Sequence, residues 1–242
     1  MTRVLVTGGS RGIGLAVATA FAEQGDVVAV HSRKGLLPDL PGSGHVGVAG
    51  EVSDPQEVAR FVAEAAAGLG GLDVVVNNAG VWEELDPLTA SYDDWQAHWR
   101  TAIEVDLLGP AWVVHQALPH LLASSRGRVV NVGSRGASRG EPVAVAYAAA
   151  KAGLTAMGQS LAIALAPYGI AVGSVLPGFI ETDMAVEVLE GPRGDGIRAQ
   201  SAANRVGRPA EVAAAVLFLA SEQAGWSTGA VLDVNGASYL RT

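Results

Sequence analysis

The chain has 242 residues, of which 49% are hydrophobic and 17% charged, and its formal net charge is −8. This composition is typical of a globular protein with a sizeable core, and the acidity argues against a nucleic-acid surface, which needs clustered Lys and Arg. The chain contains no cysteine, which excludes disulfides, thiolate metal sites and cysteine nucleophiles. The five histidines are scattered along the chain, so no metal site is predicted.

One stretch without charge, residues 152–180, is long enough to raise the question of a membrane span. Pro167, Gly169, Gly173 and Pro177 interrupt it, so it is interpreted as a helix and a strand of a buried core. The first predicted strand begins at about residue 3, which leaves no room before it for a signal peptide. We therefore expect a soluble, cytoplasmic protein with no membrane partner and no nucleic-acid partner.

Short apolar runs alternate with helical patterns along the whole chain. Strands are predicted at residues 4–6, 27–30, 45–49, 72–76, 128–132, 170–176 and 230–234. Helices are predicted from residue 13 to about 24, from residue 55 with Asp54 as its cap, and at 92–100, 101–124, 146–166 and 209–220, with 177–208 as loop. Such alternation implies a parallel sheet covered by helices on both faces. The predicted fold is a single-domain, doubly wound α/β structure of about seven strands over residues 1–242.

The turn after the first strand is rich in glycine. Residues 7–14 are Thr-Gly-Gly-Ser-Arg-Gly-Ile-Gly, and helical spacing begins at Ile13. Amides at the start of a helix are unpaired, the helix dipole favours negative charge there, and glycine lets a phosphate approach the backbone. Leu15 follows Gly14, so the turn is not a nucleoside-triphosphate loop. A strand-to-helix turn with a purely structural role is the alternative.

Tyr147 and Lys151 lie near the start of a predicted helix, four residues apart and therefore on one helical face. A cation nearby lowers the pKa of a tyrosine from its usual value of about 10, which makes Tyr147 a candidate general acid and base. Chance placement of the pair on a helix surface is the alternative. Ser134 follows the fifth predicted strand, at the carboxyl end where open α/β sheets place ligands.

Taken together, these segments resemble the short-chain dehydrogenase/reductase family. Members carry a Thr-Gly-x3-Gly-x-Gly turn after the first strand, Asn-Asn-Ala-Gly after the fourth, and a serine and a Tyr-x3-Lys pair further on. The matching positions here are 7–14, 77–80, Ser134, Tyr147 and Lys151. A Pro-Gly turn at 177–184 and segments at 207–211, 217–221 and 228–229 also match, so the resemblance covers about residues 3–237. The residues are most similar to the branch of 3-oxoacyl carrier-protein reductases.

The resemblance implies an oxidoreductase that moves a hydride between a nicotinamide cofactor and a small-molecule carbonyl or secondary alcohol, with a 3-oxoacyl thioester as one candidate. Ser134 would polarise the substrate oxygen, Tyr147 would pass the proton, and Lys151 would hold the cofactor ribose and tune Tyr147. The implied cofactor-binding residues are Gly8, Ser10, Arg11, Gly12, Ile13, Gly14, Ser32, Arg33, Glu51, Val52, Asn78, Ala79, Gly80, Tyr147, Lys151, Pro177, Gly178, Ile180 and Thr182. An epimerase or dehydratase, or a cofactor-binding regulator without activity, are the alternative functions.

Two larger features also follow from the resemblance. The predicted helices at 101–124 and 146–166 correspond to those that build a homotetramer in the family. A substrate lid is expected at about residues 182–204, with an apolar wall from Met184, Val186, Val188 and Leu189.

Cofactor choice is predicted from the end of the second strand. Family members that prefer NAD carry an Asp there, whereas this chain has Ser32 followed by Arg33, with Arg11 in the glycine turn close by. A 2′-phosphate needs cations and hydrogen-bond donors, and an Asp would repel it. We therefore predict NADP(H). Two solvated arginines with no role in binding are the alternative.

Two positions depart from the family pattern. Glu51-Val52 replaces the usual Asp-Val after the third strand, which keeps an acceptor for the adenine amine with one more methylene of reach. Asp106 occupies the position of a catalytic asparagine that belongs to a water-linked relay to the lysine. A carboxylate there either pairs with Lys151 and draws its field away from Tyr147, or substitutes for asparagine with little effect because backbone holds the water.

Overall fold

The computed structural model describes residues 1–182, 185 and 189–241. Within these ranges seven strands form one sheet: β1 (Arg3–Val6), β2 (Val27–Ser32), β3 (Val46–Ala49), β4 (Val74–Asn77), β5 (Arg128–Val132), β6 (Ala171–Pro177) and β7 (Val231–Val234). All neighbours are parallel and the order is β3-β2-β1-β4-β5-β6-β7. The order reverses between β1 and β4, where doubly wound sheets open a crevice for ligands. The predicted fold class is confirmed.

Helices cover both faces of this sheet. They are α1 (Gly12–Glu23), α2 (Pro55–Leu69), α3 (Tyr92–Ile103), α4 (Gly109–Ala123), α5 (Gly136–Arg139), α6 (Val145–Leu165), α7 (Gly194–Arg198) and α8 (Pro209–Ala220). One hydrophobic cluster joins α1 and α8 to the sheet, and a second joins α2, α4 and α6 to the opposite face. The two clusters explain why the sequence shows apolar runs rather than an alternating pattern in its strands.

The first strand shows how one short run supplies both clusters. Val4, Leu5 and Val6 are all completely buried. Successive side chains of a strand point to opposite faces of the sheet, so Leu5 packs with one cluster and its two neighbours with the other. A strand that is apolar at every position therefore requires cover on both sides.

The start of α2 forms as predicted. Oδ1 of Asp54 accepts hydrogen bonds from the backbone N–H groups of Gln56, at 2.8 Å, and Glu57, at 3.3 Å. Pro55 occupies the first helical position, where its missing N–H costs nothing. Gly70 ends the helix in the left-handed conformation with φ 74°, which suits a residue without a Cβ.

Several segments differ from the sequence prediction. The region 177–208, predicted as loop, contains the five-residue helix α7, which Arg198 supports by donating to Oδ1 of Asp195 and to the carbonyl of Leu189. Between α3 and α4 the chain forms a π-helical turn, Glu104–Leu108, rather than a regular helix. Hydrophobic spacing does not report a single π turn, because the wider turn changes the spacing for only one cycle. The four-residue helix α5 was not predicted, and α3 ends at Ile103, three residues beyond its predicted end. Apart from the start of α4 after the π turn, the ends of the other elements agree within one or two residues.

The charge-free stretch forms part of the core. Residues 152–180 comprise most of α6, a 3-10 turn at Ala166–Tyr168 and strand β6, and every residue of β6 is buried. In the part of the chain that the structure describes, no helix has both the length and the apolar character that a bilayer span needs.

Candidate active site

The glycine turn is shaped by its backbone and by β4. Gly8 and Gly12 have φ values of 63° and 55°, a region that favours glycine. A Cβ on Gly14 would lie 2.2 Å from the carbonyl oxygen of Gly8 and 2.5 Å from Nδ2 of Asn78. Asn78 Nδ2 in turn donates to the carbonyl oxygens of Thr7, at 2.9 Å, and Gly8, at 3.1 Å. The Asn-Asn-Ala-Gly element thus fixes the shape of the turn.

The start of α1 is suited to an anion. The side chain of its cap residue, Arg11, makes no capping hydrogen bond, and the first turn carries no acidic residue. Unpaired amides and the positive end of the helix dipole therefore face the crevice, where they favour phosphate. A Cβ on Gly12 would lie 3.3 Å from Cγ2 of Thr182, so the Pro-Gly segment closes the opposite side. This cradle fits the pyrophosphate of a dinucleotide.

His31 is a site residue that the sequence analysis missed. Its Nδ1 accepts from the backbone N–H of Gly8 at 3.3 Å, which leaves Nε2 to donate to the carbonyl oxygen of Gly50 at 2.9 Å. The ring stacks on Phe61 with 4.2 Å between centroids, and burial lowers the pKa of His31. A neutral imidazole therefore links the glycine turn to the segment after β3. The available signal was a polar residue, His31, directly after four apolar residues of the strand.

The residues predicted to meet the adenosine part of the cofactor lie beside this turn. The N–H of Gly9 donates to the carbonyl oxygen of His31 at 2.9 Å, which brings the turn against the end of β2. Ser32 is half-buried and its Oγ accepts from the N–H of Leu36 at 3.0 Å. Arg11, Arg33 and Glu51 are exposed, whereas Val52 is buried.

Ser134 and Tyr147 meet at the carboxyl end of β5. Ser134 is buried, and its Oγ accepts from the N–H of Gly136 at 3.0 Å. The hydroxyl of Ser134 also lowers the pKa of Tyr147, although other influences outweigh it. Lys151 lies one helical turn after Tyr147, with Nζ 5.6 Å from the centre of the tyrosine ring. The structure therefore brings the three predicted catalytic residues together.

Lys151 is paired with Asp106. Its Nζ lies 3.1 Å from Oδ1 of Asp106 and donates to the carbonyl oxygen of Val132 at 3.3 Å. Asp106 is completely buried, and its Oδ1 also accepts from the N–H of Val81 at 3.2 Å. A Cβ on Gly80 would lie 2.6 Å from this same oxygen, so glycine leaves the space that the pair occupies. Of the two alternatives for Asp106, the direct pairing with Lys151 is the one observed.

The charges around Tyr147 oppose one another. Desolvation raises the pKa of Tyr147; Lys151 lowers it and Asp106 raises it, and the pKa remains above its ordinary value. The expectation that Lys151 lowers the tyrosine pKa thus describes one contribution and not the net result. For Lys151, burial lowers the pKa, but the charges of Asp106 and Tyr147 and the hydrogen bond to Asp106 together outweigh it, so the pKa is raised. Burial raises the pKa of Asp106 against the influence of Lys151.

Trp82 forms one wall beside Tyr147 and was also missed. The two rings meet edge to face, with centroids 4.8 Å apart and planes inclined by 75°. The loop that carries Trp82 is tied across the site, because the N–H of Leu85 donates to the carbonyl oxygen of Val143 at 2.7 Å. Trp82 and Val143 are both partly exposed. A substrate that approaches Tyr147 therefore meets an apolar surface.

The predicted nicotinamide segment follows β6. Pro177 ends that strand, and its carbonyl oxygen accepts from the N–H of Arg135 at 2.9 Å. A Cβ on Gly178 would lie 2.9 Å from the Cα of Asn235, so the turn needs a glycine there. Ile180 is buried and pairs with Gly207 in an isolated bridge.

The described part of the predicted lid is tied to residues around the site. Arg193 Nη1 donates to both carboxylate oxygens of Glu84, at 3.1 and 3.2 Å. Oε1 of Gln200 accepts from Nη2 of Arg135 at 2.5 Å and from Nη1 of Arg139 at 3.0 Å. Leu189 of the predicted apolar wall is buried. Met184, Val186 and Val188 lie outside the described residues.

Fold, glycine turn and the Ser-Tyr-Lys arrangement together define a nicotinamide-dependent oxidoreductase. The family model described as enoyl-(acyl carrier protein) reductase matches residues 8–237. The chain belongs to the short-chain dehydrogenase/reductase family, and it is accordingly an enzyme of the kind that acts on CH–OH and C=O groups.

Two named relatives and one solved structure match over nearly their whole length. The 3-oxoacyl-[acyl-carrier-protein] reductase of Escherichia coli is 38% identical over 240 residues, covering 98% of this chain and 96% of that protein. The cis-4-hydroxycyclohexanecarboxylate dehydrogenase of Sinomonas cyclohexanicum is 37% identical over 238 residues, covering 96% of this chain and 94% of that protein. Among solved structures, ligand-free aldohexose dehydrogenase of Thermoplasma acidophilum has a TM-score of 0.87 at 29% identity, covering 99% of this chain and 94% of that chain.

Proposed function

We propose that the protein is an NADP(H)-dependent ketoreductase or alcohol dehydrogenase, in which Tyr147 exchanges a proton with the substrate oxygen. The proposal is carried by the meeting of Ser134, Tyr147 and Lys151 beside a glycine turn suited to phosphate. When bound, the nicotinamide cofactor supplies or accepts the hydride. Gly8, Ser10, Arg11, Gly12, Ile13, Gly14, Asn78, Ala79, Gly80, Pro177, Gly178, Ile180 and Thr182 would hold it.

Each of the three catalytic candidates has a separate task. Because Ser134 Oγ already accepts from the N–H of Gly136, its own O–H remains to donate to the substrate oxygen. In reduction Tyr147 gives a proton to that oxygen, and in oxidation it takes the proton back, a contribution worth roughly 10²–10⁴-fold in rate. Lys151 has three N–H donors, and two of them meet Asp106 and Val132. The third would reach the cofactor ribose.

The preference for NADP(H) over NAD(H) rests on charge at the end of β2. Ser32, Arg33 and Arg11 would surround the 2′-phosphate of the adenosine ribose, and Glu51 with Val52 would lie against the adenine. An Arg fork matches phosphate geometry. Both arginines are exposed beside the crevice, which supports this assignment.

The substrate is proposed to be a small carbonyl compound or secondary alcohol, with a 3-oxoacyl thioester as the first candidate. Residues 182–204 would form the lid over it, and the links from Arg193 and Gln200 to the site support that role. The relatives are named for substrates as different as a carrier-protein thioester, a cyclohexane alcohol and an aldohexose. Trp82 would contact the apolar part of whichever substrate is used.

Turnover with a substrate panel tests this function. We expect NADPH absorbance to fall when the protein is given a 3-oxoacyl thioester or a cyclic ketone, and NADPH to form from NADP⁺ with the corresponding alcohols. An epimerase or dehydratase would convert its substrate without net consumption of NADPH. A regulator would bind NADPH and turn over nothing, and that result would contradict the proposal.

We further propose a homotetramer built on α4 and α6, in a cytoplasmic protein. Leu122 near the end of α4 is 51% exposed, and Ile163 on α6 is 81% exposed. Large apolar side chains on neighbouring helices are suited to contact with another subunit. The oligomer is tested below by substitution of Ile163.

A further inference from the structure

Asp106 contacts the candidate active site through Lys151. It lies in the π-helical turn Glu104–Leu108 and is completely buried. Its Oδ1 receives both the Lys151 ammonium, at 3.1 Å, and the N–H of Val81, at 3.2 Å. Its Oδ2 is buried with no hydrogen-bond partner among the described residues. Among the described residues, the Asp106 carboxylate is therefore stabilised mainly by Lys151 and the N–H of Val81.

This arrangement determines where the ammonium sits. Asp106 and the carbonyl oxygen of Val132 take two of the three donors of Lys151, and the space beside Gly80 admits the pair. The ammonium is 3.1 Å from the carboxylate but 5.6 Å from the centre of the Tyr147 ring. Coulomb interactions weaken with distance, so the carboxylate offsets much of the positive field that reaches the phenol.

We propose that Asp106 is a positioning residue that holds the Lys151 ammonium in place and offsets its charge, so that Tyr147 keeps its proton to higher pH than a lone lysine would allow. The inference rests on the proposed function insofar as it concerns catalysis. Reduction, in which Tyr147 is the acid, then persists into alkaline solution. Oxidation, in which the phenolate is the base, then requires a higher pH.

Only a few other groups influence the ionisation of Tyr147 and Asp106. Tyr147 is influenced by Lys151, Asp106, Ser134 and, at the turn before α6, Glu141. Asp106 is influenced by Lys151 and by Glu83. Glu141 carries the same unit charge as Asp106, and Lys151 is not among its hydrogen-bond or ion-pair partners in the described ranges, so it provides a matched control.

The central experiment compares Asp106→Asn with Asp106→Ala. An asparagine oxygen still accepts from Lys151 and Val81, so the first variant removes the charge and keeps the position, whereas the second removes both. The pH dependence of kcat is measured for reduction and oxidation. In Asp106→Asn we expect the midpoint of both profiles to move to lower pH by at least about one unit, the usual size for a charged neighbour. Glu141→Gln should move it much less.

A direct readout that needs no turnover is the ionisation of Tyr147 in the protein alone. The chain has four tyrosines, so subtracting the ultraviolet titration of Tyr147→Phe isolates this one. Tyr147 should ionise at lower pH in Asp106→Asn than in the unmodified protein. Equal midpoints overturn the inference while leaving the proposed function intact. A protein inert on every substrate would refute the proposed function, and the titration would still decide the role of Asp106.

A variant that does not fold leaves one decisive measurement. If circular dichroism shows that Asp106→Asn is unfolded, the same difference titration is made on Asp106→Ala, which also removes the charge. A lower midpoint for Tyr147 than in the unmodified protein supports the inference. An equal or higher midpoint overturns it, because removal of the carboxylate would then leave the effect of Lys151 on the phenol unchanged.

Discussion

In the proposed mechanism Tyr147 exchanges a proton while it is surrounded by protein and by two opposite charges. Burial and Asp106 favour the neutral phenol, whereas Lys151 favours the phenolate. A neutral phenol is the form that donates a proton to a developing alkoxide, so the resting site is set for reduction. Trp82 packs edge to face against one side of the Tyr147 ring.

The proton relay is tested by Tyr147→Phe. This change removes the hydroxyl but keeps the ring that packs on Trp82, so turnover should fall by at least about 10²-fold while the affinity for NADPH stays nearly unchanged. Lys151→Ala should reduce both turnover and affinity, because Lys151 is assigned two roles. Near-normal ketone reduction by the phenylalanine variant would show that Tyr147 serves only packing.

Cofactor preference is tested by Arg33→Ala. Loss of one hydrogen bond to a charged group costs roughly 1.5–3 kcal/mol, which is about ten- to hundredfold in affinity. The Michaelis constant for NADPH should therefore rise far more than that for NADH. The unmodified protein should prefer NADPH, and equal use of both cofactors would sink the assignment of Ser32, Arg33 and Arg11.

At the scale of elements, the glycine turn is held from two sides. Asn78 after β4 bonds the carbonyl oxygens of the turn, and His31 at the end of β2 accepts from the N–H of Gly8. Only the neutral imidazole can accept at Nδ1 and donate to Gly50 at the same time. Protonation of His31 therefore opposes the native arrangement of β1, β2 and the turn.

This coupling predicts a pH dependence of stability. Because the pKa of His31 is lowered in the folded protein, the unfolded chain binds the proton more tightly. The contribution of neutral His31 to the free energy of unfolding is fully present above about pH 6.5, which is the pKa of histidine in the unfolded chain. It is lost as the pH falls toward the lower pKa of the folded protein, by at most about 1.4 kcal/mol per pH unit. Thermal unfolding between neutral and mildly acidic pH should show a steeper decline for the unmodified protein than for His31→Gln. Parallel curves would contradict this role.

At the scale of the whole molecule, most large apolar side chains are buried in the two clusters, but some are not. Ile163, Leu122 and Leu88 are exposed by 81, 51 and 91%. The first two lie on α6 and α4, whereas Leu88 lies in the loop after β4. A single exposed apolar residue is ordinary in a monomer. Exposed apolar residues indicate a subunit interface only where residues of different elements form one continuous surface.

The tetramer is tested by Ile163→Glu. A buried charge at a subunit contact is costly unless it is paired, so this variant should elute and scatter light as a species smaller than the unmodified protein. The unmodified protein should have four times the chain mass of 24.6 kDa. Leu88→Glu is the control and should leave the mass unchanged. An unmodified protein that is monomeric at micromolar concentration would refute the assembly.

Much of the fold could be predicted because its strands and helices follow from the spacing of apolar and capping residues that are close together in the chain. Apolar runs such as 4–6 and 72–76 lie within two residues of the observed strands. The cap at Asp54 also forms as predicted, since it depends on residues only two and three positions away. The π turn around Asp106 and the short helices α5 and α7 were missed, because none of them leaves a repeated pattern along the chain.

By itself the sequence determined the fold class, and it predicted the glycine turn and the candidate residues Ser134, Tyr147 and Lys151, because each is defined by neighbours in the chain or by an ordered set of motifs. Only the tertiary structure decided that Asp106 pairs directly with Lys151, that His31 joins the turn to β3, and that Trp82 packs on Tyr147. These contacts join residues from different elements. Burial then decided the ionisation of Tyr147. Desolvation outweighs the effect of the Lys151 cation, which favours the phenolate, and the pKa of Tyr147 is therefore raised.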